Sequence, residues 1–478
     1  MLNILVGLFR IKVAAVLLGP SGVGLIGLLQ SVMATASSIA GLGFGNVGTR
    51  QIAEATGRAD LQAVAAARRA LFWGTLGLAL AGAAVFWLLR DVLAVRVIGV
   101  GIPVTQVGWL ALGVALTVAA SSQGALLNGL RRIGDIACVS VRSAFLSTAV
   151  GGGVLLWLGQ GGVWAFVLAT PLCSFLVGHW YVARLPKVCS PATPWHVLVA
   201  QWRTLARLGA AFMLAGLVAT LAQLFVRTLV QRQLGSESLG NFQASWQISM
   251  TYLGFVLAAM GTDYYPRLTA TIHDHTVTNR MVNEQTEVAL LLGGSVLMAM
   301  LGLAPWVIKL LYSGHFYEAA GVLRWQILGD VLKIVSWPLG FILLAAGDGR
   351  TFLITESIGY GVFMILSWLC LPWFGVEATG IAFLGMYIVY LPLVYWSARI
   401  RTGFSWTPGN WWLIGIIFVA CAIIKVFTIW HPIIGAGSGV LVAFCWAVYA
   451  MARLSRMSTI GGPIPRICAR IFQFIKFR

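Results

Sequence analysis

Eleven ionisable residues fall within or beside long apolar runs: Arg10, Lys12, Arg142, Arg227, Lys309, Arg324, Lys333 and Lys425, with Asp263, Asp330 and Glu356. A charged side chain at the centre of a membrane helix costs ~2.5–3.5 kcal/mol on insertion scales, so each needs a wet cavity or a partner. The planar guanidinium fork matches phosphate oxygens with paired hydrogen bonds. Arginines facing one another across a cavity would therefore make an anion site, and Arg10, Lys12, Arg142 and Arg227 are its candidates. Plainer roles compete. Arg10 and Lys12 can snorkel or pair locally, Arg142 can reach the headgroups, and Lys309 and Lys425 read as interfacial. Asp330 and Lys333, spaced i, i+3, can neutralise one another. Asp263, Asp330 and Glu356 are candidates for coupling to an ion, with Lys333 as a polar neighbour. The tryptophans fall mostly near span ends, where an aromatic belt explains them, while Trp246 and Trp325 are the candidates for stacking on a sugar ring.

The stretch GPSGVGLIG, residues 19–27, carries the glycine frame of a phosphate-binding loop, but Leu25 and Ile26 stand where that loop needs lysine and a hydroxyl. The nucleotide reading loses the two side chains that do its chemistry. Seven scattered cysteines include no C-x-x-C pair, and His273 and His275 lack ligand spacing, so neither a disulfide framework, a metal site nor a cofactor is expected. No paired-carboxylate or nucleophile motif suggests an enzyme.

These residues sit in a chain of 478 residues that is 59% hydrophobic and 10% charged. Soluble domains are about one quarter charged, so the chain belongs in a bilayer. Apolar runs of helical spanning length recur throughout, without the alternating segments of a barrel. Arg10 and Lys12 interrupt the first run, which argues against a cleavable signal. Fourteen spans are expected, at 2–18, 22–45, 70–89, 106–127, 138–158, 162–183, 208–231, 241–265, 288–312, 325–346, 352–373, 378–398, 411–430 and 434–452. With a cytoplasmic N-terminus, 21 basic residues lie inside, and only Arg90, Arg96 and Arg232 lie outside. That bias is the positive-inside pattern, and it places both termini in the cytoplasm. The net charge of +18 is then topology, spread over short loops rather than gathered for nucleic acid. Ile52, Ala55, Leu61 and Val64 have near-helical spacing in the second inside loop, which is expected to lie along the membrane surface.

The chain also repeats itself. Gly19 and Gly24 are answered by Gly235 and Gly240, Gly129 by Gly347, and Gly162 by Gly380, at separations of 216, 218 and 218 residues. Six is an even number of spans, so the halves are parallel repeats about an axis along the membrane normal, as in transporters that rock two lobes around a central site. The expected fold is all-α and polytopic. A six-helix lobe spans 1–185, a Pro-rich cytoplasmic linker 186–207 and a second lobe 208–400; two additional spans and a basic tail fill 401–478. Arg10 and Arg227 precede their turns by nine and eight residues, which puts them at nearly the same depth.

The block LRWQILGDVLKIVSWPLGF (323–341), followed by LITE (353–356), resembles the O-antigen and enterobacterial-common-antigen translocases. These are Wzx-type flippases of the multidrug/oligosaccharidyl-lipid/polysaccharide exporter superfamily. Matching positions include Trp325, Gln326, Gly329, Asp330, Lys333, Thr355 and Glu356, and residues 19–27, 43–54 and 261–269 also fit. One departure is a first span that starts almost at Met1, where relatives often carry a longer segment. The resemblance implies two MATE-like six-helix lobes around a cationic cavity in the bacterial inner membrane. It implies movement of an undecaprenyl-pyrophosphate-linked oligosaccharide between leaflets, with Arg10, Lys12, Arg142 and Arg227 neutralising the pyrophosphate. A monomer is expected, with polysaccharide polymerase or assembly proteins as candidate partners. The competing readings are a lipid II flippase, a cation-coupled multidrug antiporter of the same superfamily, and a membrane polymerase or glycosyltransferase.

Overall fold

The computed structural model describes residues 2–58, 60–99, 103–186 and 195–456, and every regular element among them is helical. Helix α1 (Leu2–Ala40) has 39 residues. At 1.5 Å per residue that is about 58 Å, roughly twice the hydrocarbon thickness of a bilayer. It is broken at Gly19, whose φ of 66° and ψ of −168° lie in a region open essentially to glycine alone. Helix α8 (Trp195–Thr271), 77 residues long, is broken the same way at Gly235, with φ 89° and ψ 179°. Each is therefore two crossings joined by a tight turn. The glycine frame that imitated a phosphate loop is a helix-reversal device.

Between them run α2 (Phe44–Gly57), α3 (Leu61–Leu88), the short α4 (Arg90–Leu93), α5 (Val104–Gly129), α6 (Ile133–Leu158) and α7 (Val163–Ala183). Then follow α9 (His275–Leu311), α10 (Ala319–Ala345), α11 (Gly349–Phe374), α12 (Glu377–Thr402), α13 (Pro408–Trp430) and α14 (Pro432–Arg456). Ten stretches among the described residues are long and apolar enough to cross a membrane. Two of these, Leu2–Ala40 and Ile133–Ala183, each hold two expected spans, and α8 holds two more. Residues 187–194 of the expected linker and the tail after Arg456 lie outside the described residues.

The chain forms two compact units. The described residues through Gly240, with Leu311–His315, make the first; Asn241–Leu310 and the described residues from Phe316 onward make the second. In the first, Leu18, Leu29, Phe86, Leu110, Val114, Phe166 and Val167 form one core, and Phe44, Ile52, Leu71, Leu127 and Leu205 form another beneath α2. Ile52 and Ala55 are buried, while Val64 belongs to α3. Helix α3 starts nine residues before the expected span because Asp60 caps it, accepting from Gln62 N at 3.0 Å and Ala63 N at 2.9 Å. The turns at Gly19 and Gly235 meet backbone to backbone. A Cβ on Gly240 would stand 1.9 Å from the Pro20 carbonyl oxygen, and one on Gly24 would stand 2.6 Å from Gly240 N.

In the second unit, the two appended helices are anchored on α9. Asn283 accepts from Thr407 N and from Asn410 Nδ2, both at 2.9 Å, and donates to the Ser405 carbonyl at 3.0 Å. Arg453 pairs with Glu287 at 2.8 Å. Gly302 and Gly439 let α9 and α14 approach closely enough that a Cβ on Gly439 would be 2.9 Å from Gly302 Cα, the small-residue packing common in membranes.

Backbone geometry corrects the register of the repeat. Arg131 and Gly347 both have positive φ, at 55° and 72°, and Gly159 and Gly375 share a φ of 54°. Helices α5 and α10 end at Gly129 and Ala345, and α6 and α11 begin at Ile133 and Gly349. All four pairs, like Gly19 and Gly235, are 216 residues apart. Pairing Gly129 with Gly347 and Gly162 with Gly380 was therefore displaced by two residues, because matching glycine to glycine overlooked an arginine in the left-handed position. In the corrected register, Arg227 aligns with Ile11 and Arg10 with Val226. Those positions are about 100° apart around a helix, so the two arginines do not share a face.

Candidate functional site

The most concentrated polar chemistry within the spans of the second unit lies on α10. Gln326, Asp330 and Lys333, spaced i, i+4, i+7, occupy one face of that helix. Gln326 and Asp330 are fully buried. The second half of α8 brings Ser249 and Tyr252 to Asp330, whose Oδ2 accepts from their hydroxyls at 2.7 and 2.6 Å. Helix α11 supplies Glu356, which accepts from the Tyr390 hydroxyl of α12 at 2.7 Å. Lys333 Nζ lies 3.3 Å from Met250 Sδ and 5.7 Å from the centroid of the Phe383 ring, with Asp330 and Glu356 as its charged neighbours.

Spacing suggested that Asp330 and Lys333 neutralise each other directly. Instead, hydroxyls satisfy one carboxylate oxygen, and no ion pair joins the two among the described residues. Asp330 Oδ1 and both amide heteroatoms of Gln326 have no hydrogen-bond partner among the described residues. Leaving a buried polar group in that condition costs roughly 1–3 kcal/mol. The cluster thus presents two carboxylates, one ammonium and an open acceptor to a proton, a cation or a polar ligand.

The other candidate residues are more dispersed. Asp263 is exposed near the end of α8, paired with Arg267 at 3.0 Å and outside this cluster. Trp246 is 6% exposed, enclosed by Phe242, Phe363 and Phe383 at 5.6–5.8 Å between centroids. It forms part of an aromatic core rather than an open stacking platform. Trp325 donates to Glu377 at 3.2 Å, and the Lys425 ammonium lies over its ring.

In the first unit, Arg10 reaches from α1 to α6 and α7. It donates to Thr170 Oγ1, to Ser147 Oγ at 3.4 Å and to the Phe166 carbonyl at 2.6 Å, and lies 4.2 Å from the Phe166 ring centroid. These oxygens are neutral, so they orient the guanidinium without cancelling its charge. Lys12 donates to the Tyr312 carbonyl at 2.5 Å. Arg227 is 5% exposed and donates to Gln223 at 3.1 Å. Arg142 is exposed, 5.3 Å from the Trp180 ring centroid and 5.6 Å from that of Tyr181. Asp348, at the turn before α11, caps that helix. Hydrogen bonds from Thr351, and the Arg401 guanidinium beside it, hold its carboxyl below the usual aspartate range.

The family described as polysaccharide biosynthesis protein matches residues 13–321, more than half of the chain. The chain belongs to that family. Relatives include the lipid III flippases of Escherichia coli (strain K12) and Shigella flexneri, each 26% identical over 396 residues, which is 81% of this chain and 92% of theirs. Two solved structures share the fold. An inward-facing multidrug resistance MATE family transporter of the MOP superfamily aligns with a TM-score of 0.73 at 17% identity, over 84% of this chain and 94% of that one. The lipid II flippase MurJ, in an inward closed conformation, aligns at 0.71 and 13% identity, over 95% and 97%. This polysaccharide biosynthesis protein is thus a multi-span membrane protein with the MATE and MurJ architecture.

Sequence reasoning located Asp330, Lys333 and Glu356 but missed Ser249, Tyr252 and Tyr390, which hold the two carboxylates. A signal was available: these hydroxyls occur away from span ends, where an aromatic belt does not account for the tyrosines.

Proposed function

We propose that this chain is a flippase rather than an enzyme. It moves an undecaprenyl-pyrophosphate-linked oligosaccharide, such as an O-antigen repeat unit, from the cytoplasmic to the periplasmic leaflet by alternating access. It sits in the bacterial inner membrane with both termini cytoplasmic, and acts as a monomer alongside the polymerase and assembly proteins that use its product. The observation that carries this reading is membership of the polysaccharide biosynthesis family, together with alignment along 81% of the chain to proteins named lipid III flippases.

The site chemistry supports it. A pyrophosphate and its sugars need a hydrated, cationic path. The first unit holds Arg10 by neutral oxygens and buries Arg227 at membrane depth. Lys12 and Arg142 extend that cationic set, and Trp325 is the aromatic face retained for a sugar. The second unit contributes Asp330, Lys333 and Glu356 as the centre that couples transport to a cation gradient.

The test is transport by the purified chain in proteoliposomes, with and without an ion gradient. Separate arms supply a lipid-linked oligosaccharide, lipid II and a cationic drug. Oligosaccharide flipping supports the proposal. Transport of lipid II or drug in its place overturns it.

A further inference from the structure

A second cavity lies wholly within the first unit, away from the residues assigned above. It has a volume of about 760 Å³, within the range of small-molecule sites, and runs between α3, α5 and α7. Its lining is mostly apolar, with Ala79, Ala115 and Ala119 leaving room along the helices. Arg68 and Arg69 stand at one end. From Ala65 to Leu80 the groove follows α3 for about 22 Å, close to the depth of one leaflet including its headgroups. Phe72 and Trp73 in its wall are 59% and 53% exposed, as lipid-facing residues would be.

Two polar atoms in the lining lack partners. Thr75 is 3% exposed, and its Oγ1 has no hydrogen-bond partner among the described residues; neither does Gln123 Oε1. Buried groups of this kind call for a ligand bearing polar atoms part-way along an otherwise apolar body.

The repeat supplies an independent comparison. Asp60 caps α3 as Asp274 caps α9, accepting from the amides two and three residues on in each case. Aligned on those caps, Arg69 corresponds to Asn283, Trp73 to Glu287 and Thr75 to Ala289. Asn283 and Glu287 are the residues that anchor the connection into α13 and the end of α14. The face that appended helices cover in the second unit is, in the first, this groove.

We propose that the groove seats one anionic phospholipid. Its acyl chain fills the space between α3, α5 and α7, its phosphate meets Arg68 and Arg69, and its ester and glycerol oxygens meet Thr75 and Gln123. Arg68 also donates to the Pro186 carbonyl at 3.5 Å, which holds it at the groove mouth. The proposal is independent of the transported substrate, because binding is read without transport.

The experiment is native mass spectrometry of the purified full-length chain, titrated with phosphatidylglycerol and with zwitterionic phosphatidylethanolamine. The expected result is one retained phosphatidylglycerol per chain. The double substitution Arg68→Gln/Arg69→Gln should weaken phosphatidylglycerol about 30-fold, at roughly 1 kcal/mol per arginine, and leave phosphatidylethanolamine unchanged. Ala119→Trp should exclude the lipid with both arginines intact; if that variant does not fold, the arginine pair, near the end of α3, still decides the matter. Equal phosphatidylglycerol binding by wild type and the double variant would overturn the proposal. So would displacement of phosphatidylglycerol by undecaprenyl pyrophosphate at lower concentration, which would make the groove a substrate entry. A wild-type dimer that Ala119→Trp converts to monomers would overturn it as well.

Discussion

Helices α5 and α10 end in register 216 residues apart, yet one carries Val114 and Thr117 where the other carries Asp330 and Lys333. The same holds for α6 and α11, with Ser140 opposite Glu356. Val114 is fully buried in an apolar core, so the architecture needs no charge at that place. The turn glycines behave in the opposite way: Gly19 and Gly235 keep one unusual backbone conformation in both repeats. Duplication preserved what the backbone requires, while the side chains diverged wherever packing left a choice. Charge specific to one repeat is therefore a better guide to function than charge alone.

The largest effect should follow from breaking what the repeats share. Gly240→Val places a side chain against the Pro20 carbonyl, with backbone on both sides of the clash. We expect a loss of more than about 3 kcal/mol, seen as failure to accumulate as folded protein in the membrane. Normal accumulation would show that the turns are not closely packed.

Next comes the converse, removing what the repeats do not share. The triple change Asp330→Val, Lys333→Thr and Glu356→Ser writes the first repeat's residues into the second. It should insert at the wild-type level but lose the response of transport to an imposed ion gradient. An unchanged response would remove the cluster from coupling.

A smaller effect concerns the caps. Asp348 caps α11 through Thr351, whereas its counterpart Arg132 makes no side-chain cap to α6. Asp348→Ala should cost ~1 kcal/mol in thermal unfolding, and Arg132→Ala less than about 0.5 kcal/mol. The Asp348 carboxyl is held low, so its contribution is complete above the ordinary aspartate value near 3.9 and is lost as pH falls through the lowered value. The stability difference between wild type and Asp348→Ala should therefore shrink in acid; a difference that grows in acid contradicts this assignment.

The smallest effect tests the register itself. Arg131 adopts the positive φ that Gly347 adopts in the other repeat. Arg131→Gly should stabilise the protein by up to about 1 kcal/mol in the same assay, and Gly347→Arg should destabilise it.

Much of this architecture was legible in the sequence, for definable reasons. Apolar run length and the asymmetry of loop arginines are strong one-dimensional signals, and they set the spans. The glycine turns marked the repeat, but its register slipped where Arg131 occupies a position that glycine fills in the second half. The starts of α3 and α9 depend on single capping aspartates, which hydropathy does not weigh. Asp330, Lys333 and Glu356 stood out because charge in an apolar run is rare. Their partners Ser249, Tyr252 and Tyr390 did not, since a hydroxyl in a span is common and only packing shows what it faces. Trp246 could be placed in an aromatic core only by its neighbours Phe363 and Phe383.

The most direct test of the central claim is the flipping rate of a lipid-linked oligosaccharide in proteoliposomes, compared between wild type and Arg227→Ala at equal insertion. The account predicts that Arg227→Ala inserts normally and abolishes flipping. Flipping at the wild-type rate would contradict it.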